Sequence, residues 1–205
     1  MIVSAVVWWI LASFIWYQII AHIGISLGLH RYFAHRQFKI PTSLEYVILF
    51  MAMIAGARSP IGWIGAHRIH HAYSDSENDP HSPQHKGFWT VLFSQWQIAS
   101  IPPKFSRDLY RTPSLVFFHK NWKWLWSGVA LFSLIISLKV FIFFVLIPAL
   151  MAWISFGLLN SVCHLGGEVQ NVPLINWLTG GEGYHLEHHI NGRNHRFHKY
   201  DLTGY

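Results

Sequence analysis

Three short histidine-rich blocks constrain the fold of this chain more than any other feature of its sequence. Two blocks place their histidines at positions i, i+3 and i+4, which project from one side of a helix. The earliest block places its two histidines five positions apart. Imidazole is a common ligand for iron, copper and zinc, so three such blocks predict a metal site. The eight histidines are His30 and His35, then His67, His70 and His71, then His185, His188 and His189.

A ninth histidine, His164, lies four residues after Asn160, so that both share one helical face. Nine imidazoles exceed what one metal ion accepts, which predicts two ions with four or five imidazoles each. Cys163 is the only cysteine, which excludes a disulfide within the chain and a cysteine-held iron–sulfur cluster. The histidine blocks contain no sulfur, so we do not expect a haem thiolate either. We interpret Cys163 as a small apolar residue that fills space.

The composition is that of a membrane protein. Hydrophobic residues make up 52% of the chain and charged residues only 12%, against about a quarter charged in an average soluble domain. Long apolar runs predict membrane spans at about 2–29, 122–138 and 140–160. The expected fold is therefore an all-α integral membrane protein with a helical cap that carries the histidine-rich dimetal site.

The segments between the spans complete a single predicted domain over residues 1–205. The run at about 44–57 is too short to span comfortably, so we expect an interfacial or half-buried helix that Ser43 caps. Polar segments at 58–121 and 166–205 are expected outside the membrane, with an aromatic helix over 88–101. Lys139 should mark a hairpin turn between the last two spans, and Pro148 should kink the last one.

The charges predict the orientation of the chain in the membrane. In this three-span arrangement, all of the 15 lysines and arginines except Lys139 lie on the side of the histidines. The positive-inside rule makes that side cytoplasmic. The formal charge of +6 forms no stripe along the chain, so we expect contact with membrane lipid or an anionic substrate and no nucleic acid.

Other polar residues have simpler explanations. His22 and Gln18 lie within the first span, where we expect them to face other helices. Five further histidines lack ligand spacing, and we predict that none of them holds the metal directly. They are His81, His85, His119, His195 and His198.

The three blocks resemble the histidine boxes of membrane fatty acid desaturases, particularly the Δ9 type. They read Gly-Leu-His-Arg-Tyr-Phe-Ala-His, His-Arg-Ile-His-His-Ala-Tyr-Ser-Asp and Gly-Glu-Gly-Tyr-His-Leu-Glu-His-His. Asn-Asp-Pro-His-Ser-Pro at 78–83, Lys-Gly-Phe-Trp at 86–89 and Asn-Ser-Val-Cys-His at 160–164 are also similar to that type. The resemblance extends over roughly residues 20–190, in the order and spacing of the family.

This resemblance implies two iron ions, O₂ as co-substrate and an electron donor such as ferredoxin or a b-type cytochrome. The substrate would be a long acyl chain on a lipid, coenzyme A or acyl carrier protein, held in an apolar tunnel for which Phe14, Gln18 and Trp63 are candidates. Asn160 would reach the second iron through water. The implied ligands are His30, His35, His67, His71 and His188 for one iron, and His70, His164, His185 and His189 for the other.

The chain departs from the family pattern at three points. The family usually has another span before the first one here and more sequence after the third box, so we expect a minimal member or a fragment. Glu187 stands in the third box where Asn or Tyr is more common, and could support a ligand or face solvent. Gly65-Ala66 replaces the Arg-Asp pair that is typical of acyl-CoA enzymes, which favours acyl chains on lipid or carrier protein.

Two alternatives remain open from the sequence. A hydroxylase, ketolase or acetylenase could use the same site on a lipid substrate. A membrane protein that only binds or transports metal ions would need polar residues along its spans, and His22 and Gln18 hardly provide such a path.

Overall fold

The computed structural model describes residues 2–94 and 100–204, and over these residues the regular structure is helical. The α-helices are α1 (Ile2–Ile20), α2 (Thr42–Ile54), α3 (Pro60–Tyr73), α4 (Pro83–Lys86), α5 (Phe88–Ser94), α6 (Pro103–Ser106), α7 (Pro113–Ile136), α8 (Leu138–Phe141), α9 (Ile147–Val162), α10 (Asn176–Thr179) and α11 (His185–Ile190). Two π-helical segments, Ala21–Ala34 and Ile142–Leu146, continue α1 and join α8 to α9, and 3₁₀ turns lie at Leu109–Arg111 and Pro173–Ile175.

The first π-helical segment packs tightly against α2. A Cβ atom added at Gly24 would collide with the backbone of Ala52, and one added at Gly28 would collide with the side chain of Ile48. Small residues four apart let two helices approach closely in this way. The buried carboxylate of Glu45 on α2 then accepts hydrogen bonds from the hydroxyls of Tyr32, at 2.7 Å, and Ser114 on α7. The helix predicted to be half-buried, α2, is therefore held by the first π-helical segment on one side and by α7 on the other.

In the described part of the chain, two helices are long and apolar enough to cross a membrane, Val6–Ala34 and Leu138–Val162. They correspond to the predicted spans 2–29 and 140–160. The predicted span 122–138 lies in α7, which begins earlier, at Pro113, and is not among these candidates within the described residues. Lys120 and Lys123 lower the hydropathy of its first half. The outward faces of these helices still expose large apolar side chains, such as Trp8 at 70% and Ile135 at 74%.

Several local predictions need correction. Ser43 does not cap α2, whose N-cap position is Pro41, without a side-chain cap. The turn between the last two long helices lies at Ser137, whose hydroxyl accepts from the Val140 N–H at 3.1 Å, so Lys139 is already helical. Within the predicted aromatic helix 88–101, α5 ends at Ser94, and residues 95–99 lie outside the described part of the chain.

Pro148 follows a π-helical turn. Proline has no N–H to donate to the carbonyl four residues earlier, which is that of Phe144. The indole N–H of Trp16 on α1 donates to this carbonyl at 3.0 Å. At the predicted kink, the structure therefore has a π-helical turn before Pro148. The carbonyl of Phe144, which Pro148 cannot pair, accepts a hydrogen bond from the first helix.

Candidate metal centre

Five histidines from three segments form the first group. Their candidate ligand nitrogens all lie within 4.8 Å of one another. The Nε2 atoms of His35 and His67 are 2.8 Å apart, and the Nε2 atom of His188 lies 2.7 Å from that of His71 and 3.1 Å from that of His30. The first group is His30, His35, His67, His71 and His188.

The π-helical segment explains why histidines five apart can share this group. In an α-helix, residues five apart point in clearly different directions, because each residue turns about 100°. The amide of His35 instead donates to the carbonyl of His30 at 3.0 Å, an i→i+5 bond that defines a π-turn. The wider turn brings the two imidazole rings to a centroid distance of 4.8 Å.

Four histidines form the second group, His70, His164, His185 and His189, again with all ligand nitrogens within 4.8 Å. The Nε2 atoms of His70 and His189 are 3.2 Å apart, and those of His164 and His185 are 3.1 Å apart.

The i, i+3, i+4 blocks do not serve one metal each. On α3, His67 and His71 join the first group, whereas His70 joins the second. On α11 the pair four apart, His185 and His189, joins the second group, whereas His188 joins the first. Residues four apart differ by only about 40° around a helix, while neighbours differ by about 100°. Both helices therefore lie between the two groups and contribute to each.

The geometry fits a metal ion in each group. A metal–imidazole bond is about 2.0–2.1 Å long in zinc sites, so two nitrogens bound at right angles lie about 3.0 Å apart and two on opposite sides about 4.2 Å. The separations between the histidine nitrogens have this size.

Burial lowers the pKa of His67, His70, His185 and His188 far below its usual range, and neighbouring histidines add to the effect. The pKa of His71 falls to about 3 for the same reasons. Neutral imidazoles with free lone pairs are the form that binds metal.

Three carboxylates stand behind these histidines. The Nδ1 atom of His70 lies 2.9 Å from Asp79, that of His164 lies 3.0 Å from Asp75, and that of His30 lies 3.0 Å from Glu182. A carboxylate at Nδ1 fixes the tautomer and orientation of a metal-binding imidazole and leaves Nε2 for the ion. Burial alone would raise the pKa of Glu182, but His30 and Arg31 beside it hold this pKa at about 2.

A small cavity of about 30 Å³ lies next to both groups. It is lined by His30, His67 and His185, and also by the half-buried Asn160. Its volume corresponds to about one water molecule. The cavity is therefore large enough for the water that would link Asn160 to the second ion.

A larger apolar cavity of about 560 Å³ adjoins the small one, and Trp63 and Phe156 line both. The indole of Trp63 also stacks on His67, with 5.2 Å between ring centroids. The volume lies within the usual range of small-molecule sites, about 300–1,000 Å³. The other lining residues include Ile25 from the first helix, Trp122 and Trp126 from α7, and Ala149, Leu150 and Trp153 from α9.

Comparison with known proteins identifies the family of this chain. The family model described as fatty acid desaturase matches residues 6–203. The chain belongs to the fatty acid desaturase family. It is 32% identical over 187 residues to the sn-1 stearoyl-lipid 9-desaturase of Anabaena variabilis, covering 84% of this chain and 68% of that protein. It is 31% identical over 196 residues to the Delta-9 acyl-lipid desaturase 2 of Arabidopsis thaliana, covering 86% and 62%.

A relative with another substrate in its name is equally similar. The Acyl-CoA C20 Delta5-desaturase of Anemone leveillei is 31% identical over 188 residues, covering 84% of this chain and 60% of that protein. The chain thus spans from 60% to 68% of the length of these three family members.

The candidate tunnel residues of this family member lie in different places. Trp63 lines the apolar cavity, but Phe14 and Gln18 do not. The Phe14 side chain is 38% exposed. The amide of Gln18 donates to the carbonyl of Trp177 at 2.6 Å, so this polar group in the first helix is paired with α10.

The histidines predicted not to hold metal are also distributed unevenly. His81 is buried, with its ring centroid 4.5 Å from that of His70, and it forms a third possible ligand group with His70 and Asp79. His85 and His195 are exposed. His119 pairs with Ser59 at 2.6 Å, and the ring of His198 stacks on Tyr184 with 4.2 Å between centroids. His22 is half-buried against Gly180.

Sequence reasoning missed the three carboxylates. Asp75 and Asp79 lie four and eight residues after His71, and Glu182 lies three residues before His185. Their closeness in sequence to the histidine blocks was the signal that could have identified them as partners of the histidines. Glu187, the acid that the sequence did single out, makes no side-chain hydrogen bond to a histidine of either group among the described residues.

Proposed function

We propose that this chain is an O₂-dependent diiron desaturase that introduces a cis double bond, of the Δ9 type, into a long acyl chain. The observation that carries this proposal is the convergence of five and four imidazoles into two adjacent groups, next to an apolar cavity. Imidazole suits iron. Two bound iron ions would supply the chemistry of O₂ activation and of hydrogen removal from an unreactive methylene.

The residues of this chain would orient the substrate and exclude water. The apolar cavity is the candidate acyl tunnel, because it reaches the histidine groups at Trp63 and Phe156. Holding the acyl chain against the rings of Trp63 and Phe156 would fix which pair of its methylenes faces the metal centre. Asp79, Asp75 and Glu182 would keep the ligand imidazoles oriented while the chain enters and leaves.

We propose an acyl chain on a membrane lipid as the substrate, in preference to acyl-CoA or acyl carrier protein. The names of two of the three relatives support a lipid substrate. Gly65 and Ala66, which replace a charged pair, are both buried, and a Cβ atom at Gly65 would lie 2.5 Å from Ile101. No charge for a coenzyme A headgroup is therefore available at these two positions.

The protein would be integral to the membrane, with the metal centre on the cytoplasmic side, where ferredoxin or a b-type cytochrome would supply electrons. Two long apolar helices support membrane insertion. The charge distribution supports the orientation, because Lys139 alone among the 15 lysines and arginines lies near the turn at Ser137.

Expression in a host that makes no unsaturated fatty acids tests this function. We expect a new cis-monounsaturated acid, with the double bond at carbon 9 when located by mass spectrometry, and we expect it first in the membrane lipid fraction. His189→Ala is the inactive control. A hydroxylated product, or no oxygen-dependent product from a well-expressed protein that receives electrons, would contradict desaturation.

A further inference from the structure

Three charged side chains are fully buried beside the first histidine group. Arg31 and Asp201 are 0% exposed at their side chains, and Glu182 is 2% exposed. The guanidinium nitrogens of Arg31 lie 2.8 Å from Asp201 and 3.3 Å from Glu182. Burying charges costs much free energy, and the attraction between them often fails to repay that cost. A stabilising role alone is therefore a weak explanation for this cluster.

The cluster reaches the histidine group through Glu182. One carboxylate oxygen of Glu182 lies 3.0 Å from the Nδ1 atom of His30. The other accepts hydrogen bonds from Arg31 and from the hydroxyl of Ser26. The carboxylate is thus held on one side by fixed donors and faces the imidazole with the other.

Asp201 ties the same cluster to the last residues of the chain. Its carboxylate accepts two hydrogen bonds from one guanidinium nitrogen of Arg31, at 2.8 and 3.0 Å. It also accepts from the backbone N–H groups of Phe197, Thr203 and Gly204, at 3.0 to 3.1 Å. One side chain therefore fixes both the fold of the final segment and the direction of the arginine.

The final segment also covers the first histidine group. The ring of Phe197 lies 4.2 Å from the guanidinium carbon of Arg31, and its centroid lies 5.0 Å from that of His188. The carbonyl of His195 accepts from Arg31 at 3.0 Å. Residues 195–204, which lie beyond the last histidine block, thus contact the metal centre through Arg31 and Phe197.

We propose that Asp201 is a positioning residue of the first metal site. It holds Arg31, which together with Ser26 holds Glu182 against His30, so that the Nε2 atom of His30 points into the first group. The proposal rests on the proposed diiron function, because it concerns how one of the two irons is held. The carboxylate of Glu182 faces the first group. Among the described residues, the second group approaches Glu182 only at its backbone, through His185, and two of its histidines are backed by Asp75 and Asp79.

The test is iron retention by purified Asp201→Asn protein. Losing a partner behind a ligand typically weakens metal binding about 10- to 100-fold. Asp201 acts through Arg31 and Glu182, so we expect the lower end of this range: one iron should be removed at about 10-fold lower chelator concentration, while the other is held as in the wild type. The Mössbauer signal of only one iron should change. Asp108→Asn is the matched control, because it breaks partly exposed pairs with Arg36 and Arg68, neither of which holds a carboxylate against a histidine of either group.

Asp201→Asn leaves a buried arginine with weaker partners, so it could fail to fold. The paired variant Arg31→Met/Asp201→Asn removes both charges of this pair, and the amide oxygen of Asn can still accept from the backbone N–H groups of Phe197, Thr203 and Gly204. Glu182 keeps Ser26 and His30 as partners. It should fold and show the same selective weakening of one iron. If the paired variant fails to fold as well, the cluster is needed for folding and the positioning role is overturned.

Two irons held as tightly as in the wild type, in either folded variant, would also overturn the proposal. Equally weakened binding of both irons would also overturn it, because the substitution would then disturb the whole metal centre and not the first site alone. Failure of the proposed function gives a different result, since the wild-type protein itself would then bind no iron pair.

Discussion

The two histidine groups differ in number and in how the chain supports them. The first has five imidazoles, and the carboxylate behind its His30 belongs to a buried cluster with Arg31. The second has four imidazoles, and two of them are backed by aspartates from one short loop, Asp75 and Asp79. Fewer protein ligands leave a position open at a metal ion, as catalytic metal sites require. The small cavity at Asn160 lies next to both groups. From the number of imidazoles alone, we expect the second ion to have more room for an added ligand than the first.

Removing one imidazole from each group should have the largest effect. We expect His188→Ala and His189→Ala each to abolish desaturation, because ligands of one cluster act as a unit. His188→Ala should weaken the iron of the first group, and His189→Ala the iron of the second, as measured by iron content and Mössbauer spectra. His85→Ala, at an exposed histidine, is the control. Near-normal product from either ligand variant would contradict the two-iron assignment.

Changing the aspartate behind His70 should have a smaller effect, confined to the second group. Asp79→Asn keeps the shape of the side chain but removes the charge that orients the imidazole. We expect the second iron to be bound about 10- to 100-fold less tightly, with the first unchanged. Chelator titration measures this. Glu168→Gln, at an exposed acid, should have no effect, and a loss of the first iron in Asp79→Asn would remove the distinction between the groups.

Acidification should destabilise the metal-free protein through the histidines. A histidine whose pKa is lower in the folded chain contributes stability above its ordinary value of 6.5, and this contribution is lost as the pH falls toward the folded value, about 3 for His71. The pKa of Glu182, about 2 when folded against an ordinary 4.5, affects only lower pH. Between about pH 6.5 and 5 we expect the unfolding midpoint in detergent to fall by about 5 °C or more. A midpoint that stays constant or rises would contradict buried neutral imidazoles.

The smallest expected effect concerns the apolar cavity. Trp126→Ala enlarges it, so the products made from a mixed acyl pool should shift toward longer chains. Phe14→Ala should leave the distribution unchanged, because Phe14 does not line the cavity. Gas chromatography of the products measures both. A shift with Phe14→Ala alone would instead indicate that Phe14, on the first helix, limits the length of the acyl chain.

Local spacing predicted that the histidines come together, but it predicted neither the division of each block between two groups nor the carboxylates behind the histidines. Residues four apart share a group on both α3 and α11, because that geometry depends only on the helix itself. The grouping also agrees with the ligand partition that the family resemblance implies. The role of each histidine as a ligand stays a prediction.

What the sequence could not predict depends on contacts between distant residues or on unusual backbone. The π-turn that joins His30 to His35 has no simple sequence signal. Arg31 and Asp201 are 170 positions apart, so their pairing is invisible to a reading of local pattern. The predicted span begins at residue 122, whereas α7 begins at Pro113, because a helix can continue through polar residues such as Lys120 that end an apolar run.

The most direct test of the account is the metal content of the purified wild-type protein, with X-ray absorption at the iron edge. The account predicts two irons per chain, nitrogen and oxygen neighbours at the iron, and no sulfur, since Cys163 is buried and lies in neither group. A single metal per chain, zinc in place of iron in an active preparation, or a sulfur neighbour would contradict it.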